Sequence, residues 1–260
     1  MDIYQHFRKD EQPFIDQVLS WREQVERQYI LKYSDFLDPR EQYIYQSIIG
    51  QDEEINLHFF GGIEGTERKQ ALLAPYYETV SNESFPIDIL TASYPVKFVN
   101  IEHRDVLGAF LSLGIMRKKL GDLAIDSNNG RIQIITSADI SEYVATHLTS
   151  IKKASIQFKK IPISQAILIK DDWKTFETTV SSLRLDVILK HFYHLSRTQA
   201  TELIKKDLVK VNFKIVEDPS FLVELGDIIS CRGKGRSRLN QIIGQTKKQK
   251  WRINYARLSH

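Results

Sequence analysis

Arg184-Leu185-Asp186-Val187-Ile188-Leu189-Lys190, then Leu195-Ser196-Arg197-Thr198-Gln199-Ala200, then Ile204-Lys205-Lys206-Asp207-Leu208-Val209-Lys210-Val211-Asn212, reads as two short helices running into a strand. Leu185, Ile188, Leu189 and Phe192 recur at helical spacing and form one apolar stripe. Ser196 opens the second helix. Ser at the cap with Gln199 three residues later is a capping box, in which each side chain satisfies the other residue's orphan backbone N–H. That helix buries Ala200, Leu203 and Ile204 and turns Arg197, Lys205 and Lys206 outward. Strands are expected at 209–211, 214–216 and 228–232.

The same region carries a charge imbalance. Residues 184–260 hold 16 Lys/Arg against 7 Asp/Glu, a net of +9. Residues 1–183 hold 20 Lys/Arg against 26 Asp/Glu, a net of −6, so the overall +3 hides an asymmetry. No acidic residue follows Asp227, whereas Arg232, Lys234, Arg236, Arg238, Lys247, Lys248, Lys250, Arg252 and Arg257 do. A polyanion is the simplest partner for such a surface, because each neutralised phosphate releases condensed counterions.

At 260 residues the chain is long enough for two or three small domains. One cysteine, Cys231, gives no internal disulfide and suits a reducing cytoplasm. Met1-Asp2-Ile3-Tyr4-Gln5 lacks the basic-then-apolar pattern of a signal peptide, and no stretch is long enough to span a membrane. A cytoplasmic monomer without membrane attachment is expected.

The fold class expected is α+β and multidomain. Residues 1–76 read as a small, mainly helical domain. Phe14, Val18, Trp21, Val25 and Ile30 lie on one helix, Pro39 starts a second that Gly50 stops, and 55–60 alternates as a strand ending at Gly61-Gly62. Residues 77–85 are polar and read as a linker. Residues 77–175 form an α+β middle domain with strands at 87–90, 96–101, 122–126, 131–136 and near 166–169. A helix runs from Val106 towards Gly114, and Ser137 caps another. Asn128-Asn129-Gly130 is a hairpin turn. This order resembles a ferredoxin-like or RRM-like sandwich, a fold that hosts many functions. Residues 171–182 read as a connection to the last domain, 182–260.

The order of caps, turns and strands from Arg184 to about Arg236 resembles the RNA-binding module first named for the small-subunit ribosomal protein S-four, the alpha-L motif. Leu225-Gly226-Asp227-Ile228-Ile229, entering the last strand, belongs to the same pattern. The family usually has Gly where this chain has Asp207 and Phe213. Asp tolerates left-handed backbone well, whereas Phe213 demands a different turn geometry or strain at that turn. The resemblance implies RNA contacts at Arg184, Arg197, Thr198, Gln199, Lys205, Lys206 and Lys210. Asn212 is read as a turn-former and Asp186 as an intramodule partner. Arg232-Gly233-Lys234-Gly235-Arg236, with Arg238 beyond it, is read as a mobile basic loop beside that face. Glycine there lets backbone approach phosphate closely. Trp251 and Tyr255 are read as packing residues in preference to base-stacking ones.

Signatures of catalysis are sparse. Arg184-Leu185-Asp186 is the one Arg-Leu-Asp of a pseudouridine-synthase type, and the module's own first helix explains it. No glycine-rich methyltransferase loop and no synthetase ATP signature is present. His103-Arg104-Asp105 imitates a kinase catalytic loop, but Phe110 stands where Asn is required. The His residues lack metal-ligand spacing. No catalytic residue, cofactor or metal is expected. His103-Arg104-Asp105-Val106-Leu107-Gly108-Ala109, Leu113-Gly114-Ile115 and Gly121-Asp122 resemble the middle domain of the bacterial YlmH family. Gly61-Gly62 with Glu67-Arg68 resembles its first domain. The resemblance implies a non-enzymatic RNA binder acting on the large ribosomal subunit, touching rRNA and tRNA in quality control of stalled nascent chains. Arg117, Lys118 and Lys119 are a secondary RNA-contact candidate. Two alternatives stay open: an RNA-modifying enzyme with its catalytic domain in 1–170, and a cell-division scaffold binding protein partners through the first two domains.

Overall fold

The computed structural model describes residues 3–50, 53–168 and 173–258. The chain divides into two compact units, residues 1–170 and 171–260, so the first two expected domains lie in one unit.

In the first unit, α1 (Gln12–Gln28) ends at Tyr29 in left-handed backbone, so Ile30, expected on the same helix, lies beyond it and is exposed, and β1 (Lys32–Tyr33) follows. Asp38 caps α2 (Pro39–Ile49), its carboxylate accepting from Glu41 N while Glu41 reaches back to Asp38 N. Gly50 ends that helix as expected. β2 (Ile55–Phe60) and β3 (Gln70–Pro75) join β1 in an antiparallel sheet of order β1-β3-β2. β3 is buried at every position. Such a strand shows no alternation, which is why the sequence pattern does not reveal it.

The middle segment runs β4 (Ile87–Ser93), α3 (His103–Leu111), β5 (Leu120–Asp126), β6 (Arg131–Ser137), α4 (Ala138–His147), the small hairpin β7 (Ser150–Ile151) and β8 (Ala154–Ser155), and β9 (Lys159–Ile161). The sheet order β5-β6-β4-β9, antiparallel throughout, is the ferredoxin-like arrangement. The Asn-Asn-Gly hairpin is present. Asp126 accepts from Asn128 N and Asn129 N, and a Cβ on Gly130 would meet Tyr94 O at 2.3 Å. Asp105 accepts from Glu102 N in the first turn of α3, which begins at His103, ahead of Val106. Two strand expectations are corrected. Residues 96–101 form a turn after Pro95, whose carbonyl accepts from Phe98 N and Val99 N. The fourth strand is β9, not 166–169; residues 166–168 are non-strand and Ile169 lies outside the described residues.

One face of this sheet packs on α3 and α4 through Leu90, Ile132, Ile134, Val106, Phe110 and Val144. The other face is covered too. Ile89 and Ile135 pack with Phe36 and Ile63 from the first 75 residues, and the Gln133 side chain pairs with Ile167 through both N→O and O←N bonds (3.0 and 2.6 Å). The residues carrying the family resemblance converge at this seam. Asp122 accepts from Glu67 N (2.5 Å) and Arg68 N (3.2 Å), Arg68 donates to Phe36 O, and a Cβ on Gly121 would strike the Phe36 ring. The sheet face by which RRM-type domains stack bases is therefore occupied by the protein's own chain.

The second unit begins with β10 (Trp173–Val180), then α5 (Leu185–Tyr193), α6 (Arg197–Lys205), β11 (Val209–Val211), β12 (Lys214–Ile215), β13 (Ile228–Cys231), β14 (Gly235–Gln245) and β15 (Trp251–Leu258). The sheet order is β10-β15-β14-β13-β11-β12. Both helices pack on one face through Leu185, Ile188, Phe192, Ala200, Ile204 and the inward residues Val209, Ile229, Leu239, Ile253 and Tyr255. Two readings change. The expected connection 171–182 contains β10, paired along its whole length with β15; residues 171 and 172 lie outside the described residues. The expected basic loop is the tight turn of the β13–β14 hairpin, with Cys231 opposite Gly235 and both Gly233 and Gly235 at positive φ. Tyr255 packs as expected, its ring stacked on Phe192 at 3.9 Å, and Trp251 lies against the same core.

Candidate nucleic-acid interface

The predicted contact residues fall into two clusters on the second unit. The first sits where α5 and α6 begin. Asp186 lies in the first turn of α5 with its side chain only 2% exposed. Arg184 Nε donates to it at 3.1 Å and Arg197 Nε at 3.0 Å, while Val187 N donates to the same carboxylate. Burial alone would push this carboxyl up, but the two guanidinium hydrogen bonds outweigh it and hold Asp186 below the usual carboxylate range. The carboxylate thus fixes two arginines side by side while leaving them 39% and 63% exposed. Ser196 Oγ accepts from Gln199 N at 3.1 Å, and Gln199 Oε1 accepts from Ser196 N at 2.9 Å, so the capping box forms as read. Thr198 is exposed beside them, at the positive end of the helix dipole, where anions are favoured. Gln199 is thereby a cap, its side-chain oxygen taken by Ser196 N.

The second cluster lies at the far end of α6, about 12 Å along the helix. Lys205 and Lys206 are exposed there, and Lys206 approaches Glu202 at 3.7 Å. Asp207 follows in left-handed backbone, φ +56, the geometry expected where the family carries Gly. Beyond it, a cleft of about 460 Å³ is lined by Asp207, Leu208, Lys210, Arg232, Gly233 and Arg236. Arg232 N donates to Leu208 O, tying the hairpin turn to this edge, and Lys234 stands exposed at the turn. Lys210, Ser230 and Arg236 are cross-strand neighbours in one row. They point away from the helices, since their strand neighbours Val209, Ile229 and Ser237 point towards them. Arg238 is on that outer face as well, with its Nε donating to Asn240 Oδ1.

Of the aromatics on this face, Trp173 has no part in the sequence-based expectation and Phe213 only that of a turn departure. Trp173 has Arg238 over its ring at 5.2 Å and Arg236 at 5.8 Å, and Arg236 is also 5.8 Å from the Phe213 ring. The β-branched and aromatic content of 173–180 was the available signal for Trp173. Asn212 is the turn-former expected. Its Nδ2 donates to buried Asp227 and its Oδ1 accepts from Ile228 N.

The secondary candidate is tied up within the first unit. Arg117 donates to the carbonyls of Leu120 and Gly121, and burial lowers its pKa to about 10. Lys118 pairs with Asp35 at 2.8 Å, and Lys119 pairs with Asp35 and Asp139 at 3.1 and 2.8 Å. These charges are answered internally. Asp122 has the raised pKa that an acid catalyst would need, pushed up to about 6 by burial. Yet its oxygens accept the backbone N–H groups of Glu67 and Arg68, which suits a structural joint. Among the described residues no group of three or more His, Cys, Asp or Glu could hold a metal ion, and no helix is long and apolar enough to cross a membrane.

Fold and surface together define an α+β, multidomain chain that ends in an alpha-L RNA-binding unit. Family models agree: residues 81–165 match the "Putative RNA-binding domain in YlmH" and residues 183–229 match the S4 domain. The chain is 44% identical over 256 residues to the Ribosome-associated protein quality control protein P2 of Bacillus subtilis (strain 168), covering 98% of each. A 55-residue stretch is 47% identical to the small ribosomal subunit protein uS4 of Thermoanaerobacter sp. (strain X514), covering 21% of this chain and 27% of that protein. A solved structure, the cell division protein ylmH from Streptococcus pneumoniae, has a likeness in fold at TM-score 0.55 and 24% identity, covering 63% of this chain and 98% of that one. This chain belongs to the YlmH family.

Proposed function

We propose that this protein is a non-catalytic, cytoplasmic RNA-binding protein that binds the large ribosomal subunit, contacting rRNA and tRNA, in quality control of stalled nascent chains. The observation that carries this reading is the near-full-length 44% identity to a protein named for ribosome-associated quality control. The alpha-L unit supplies the physical means. Arg184 and Arg197, held by one buried carboxylate, present two guanidinium groups to backbone phosphates, with Thr198 and Gln199 beside them and Lys205, Lys206 and Lys210 extending the track. Such contacts fix position on folded RNA without reading its sequence.

The test is sedimentation of the tagged protein from a cell extract through a sucrose gradient, with sequencing of the crosslinked RNA. Co-migration with large subunits and crosslinks to large-subunit rRNA and tRNA are expected. Migration at the top of the gradient with no enriched RNA would overturn the proposal.

A further inference from the structure

We propose that the outer face of the second unit's sheet is a distinct site for an unpaired RNA nucleotide, with Phe213 as its stacking platform. The inference deepens the RNA-binding reading and rests on it. It starts from a backbone outlier. Asn212 and Phe213, at φ +47 and +67, form the two-residue turn between β11 and β12. Such a turn wants positive φ at both positions, and Asn-Gly is its favoured pair. A bulky aromatic held there is strained, and glycine would relieve the strain. The Phe213 ring is 41% exposed and lies outside the unit's buried core cluster.

What surrounds the ring is what a nucleotide needs. The Arg236 guanidinium lies 5.8 Å from the centroids of both Phe213 and Trp173, so a cation joins two aromatic rings on one face. Arg238 reaches Trp173 at 5.2 Å. Lys210 and Ser230 continue the row from Arg236 across two strands. A base can stack on Phe213 or on the guanidinium plane while its phosphates meet Lys210, Arg236 and the Ser230 hydroxyl. Every base has a π-face, so the site would accept unpaired RNA with little sequence preference. Duplex RNA cannot offer a free base to it and would be held by the helix cluster at Arg184 and Arg197.

The experiment measures affinity of the full chain for a ten-nucleotide oligouridylate and for a blunt-ended, fully paired two-strand RNA duplex, with thermal stability recorded alongside. Phe213→Gly is expected to weaken oligouridylate binding about tenfold, to leave duplex binding unchanged, and to keep or raise Tm, by about 4 °C. Phe213→Trp should retain oligouridylate binding, and Arg197→Ala should weaken duplex binding selectively. Oligouridylate affinity unchanged in both Phe213→Gly and Arg236→Gln, with Arg197→Ala still impaired, would overturn the site and leave the RNA-binding reading standing. Wild-type protein that binds neither probe would overturn both.

Discussion

Asp186 organises the helix cluster with a single carboxylate. It is buried, it lies in the first turn of α5, and it holds Arg184, at the start of α5, beside Arg197, at the start of α6. Asp186→Asn keeps the shape and removes the charge. Charge-assisted hydrogen bonds are worth more than neutral ones, so a loss of about 1–3 kcal/mol is expected at pH 7 in urea unfolding of the second unit. The folded carboxyl lies below its ordinary value of 3.8, so its stabilisation is complete above that value and lost as pH falls through the folded pKa. Wild type and variant should therefore converge in strong acid. RNA affinity separates two physical pictures. The variant is one unit more positive, which by charge alone favours RNA; loss of the arginines' alignment predicts weaker binding. We expect weaker binding, and tighter binding would reject the positioning role.

At the scale of elements, β10 decides what the C-terminal unit is. It pairs with β15 from Trp173 to Val180, and Phe176 stacks on Tyr255, which stacks on Phe192. A fragment of residues 171–260 should unfold cooperatively, while one of residues 182–260 should melt at lower temperature or lack a transition in calorimetry. Equal melting would reduce β10 to an ornament. Apart from its β-branched and aromatic content the strand carries no mark in the sequence, because it is an edge: its residues from Lys174 to Glu177 are exposed, so neither alternation nor a continuous apolar run picks it out. The opposite case is β3, hidden because it is buried throughout. Elements with chemical punctuation were readable: Ser196 with Gln199, Pro39 with Gly50, and Asn128-Asn129-Gly130 each fixed a boundary. Of the candidate interface, the cations were legible one by one. Their division between a helix cluster and a sheet face was not, because it depends on strand register between β11, β13 and β14. Phe213 was visible as a departure from the family's turn, but its pairing with Arg236 and Trp173 needed the fold.

For the whole molecule, the consequence is electrostatic. The net +9 of residues 184–260 sits on a chain whose first 183 residues carry −6. RNA should therefore be drawn to one end of the sequence, and binding should weaken steeply with salt as counterions are released. The logarithm of affinity should fall linearly with the logarithm of salt concentration, by about 0.7–0.9 for each phosphate engaged. Substituting Arg197 and Lys205 together with Ala removes one cation from the start of α6 and one from its end. Affinity should drop across all RNA sequences tested, and the salt slope should flatten by about 1.4–1.8 if each side chain holds one phosphate. Substituting Lys118, whose charge already meets Asp35 at 2.8 Å, should leave the slope where it is. A slope that stays unchanged in the double variant would remove α6 from the interface. A slope that flattens with Lys118→Ala as well would return the first unit to it, against the internal pairing seen there.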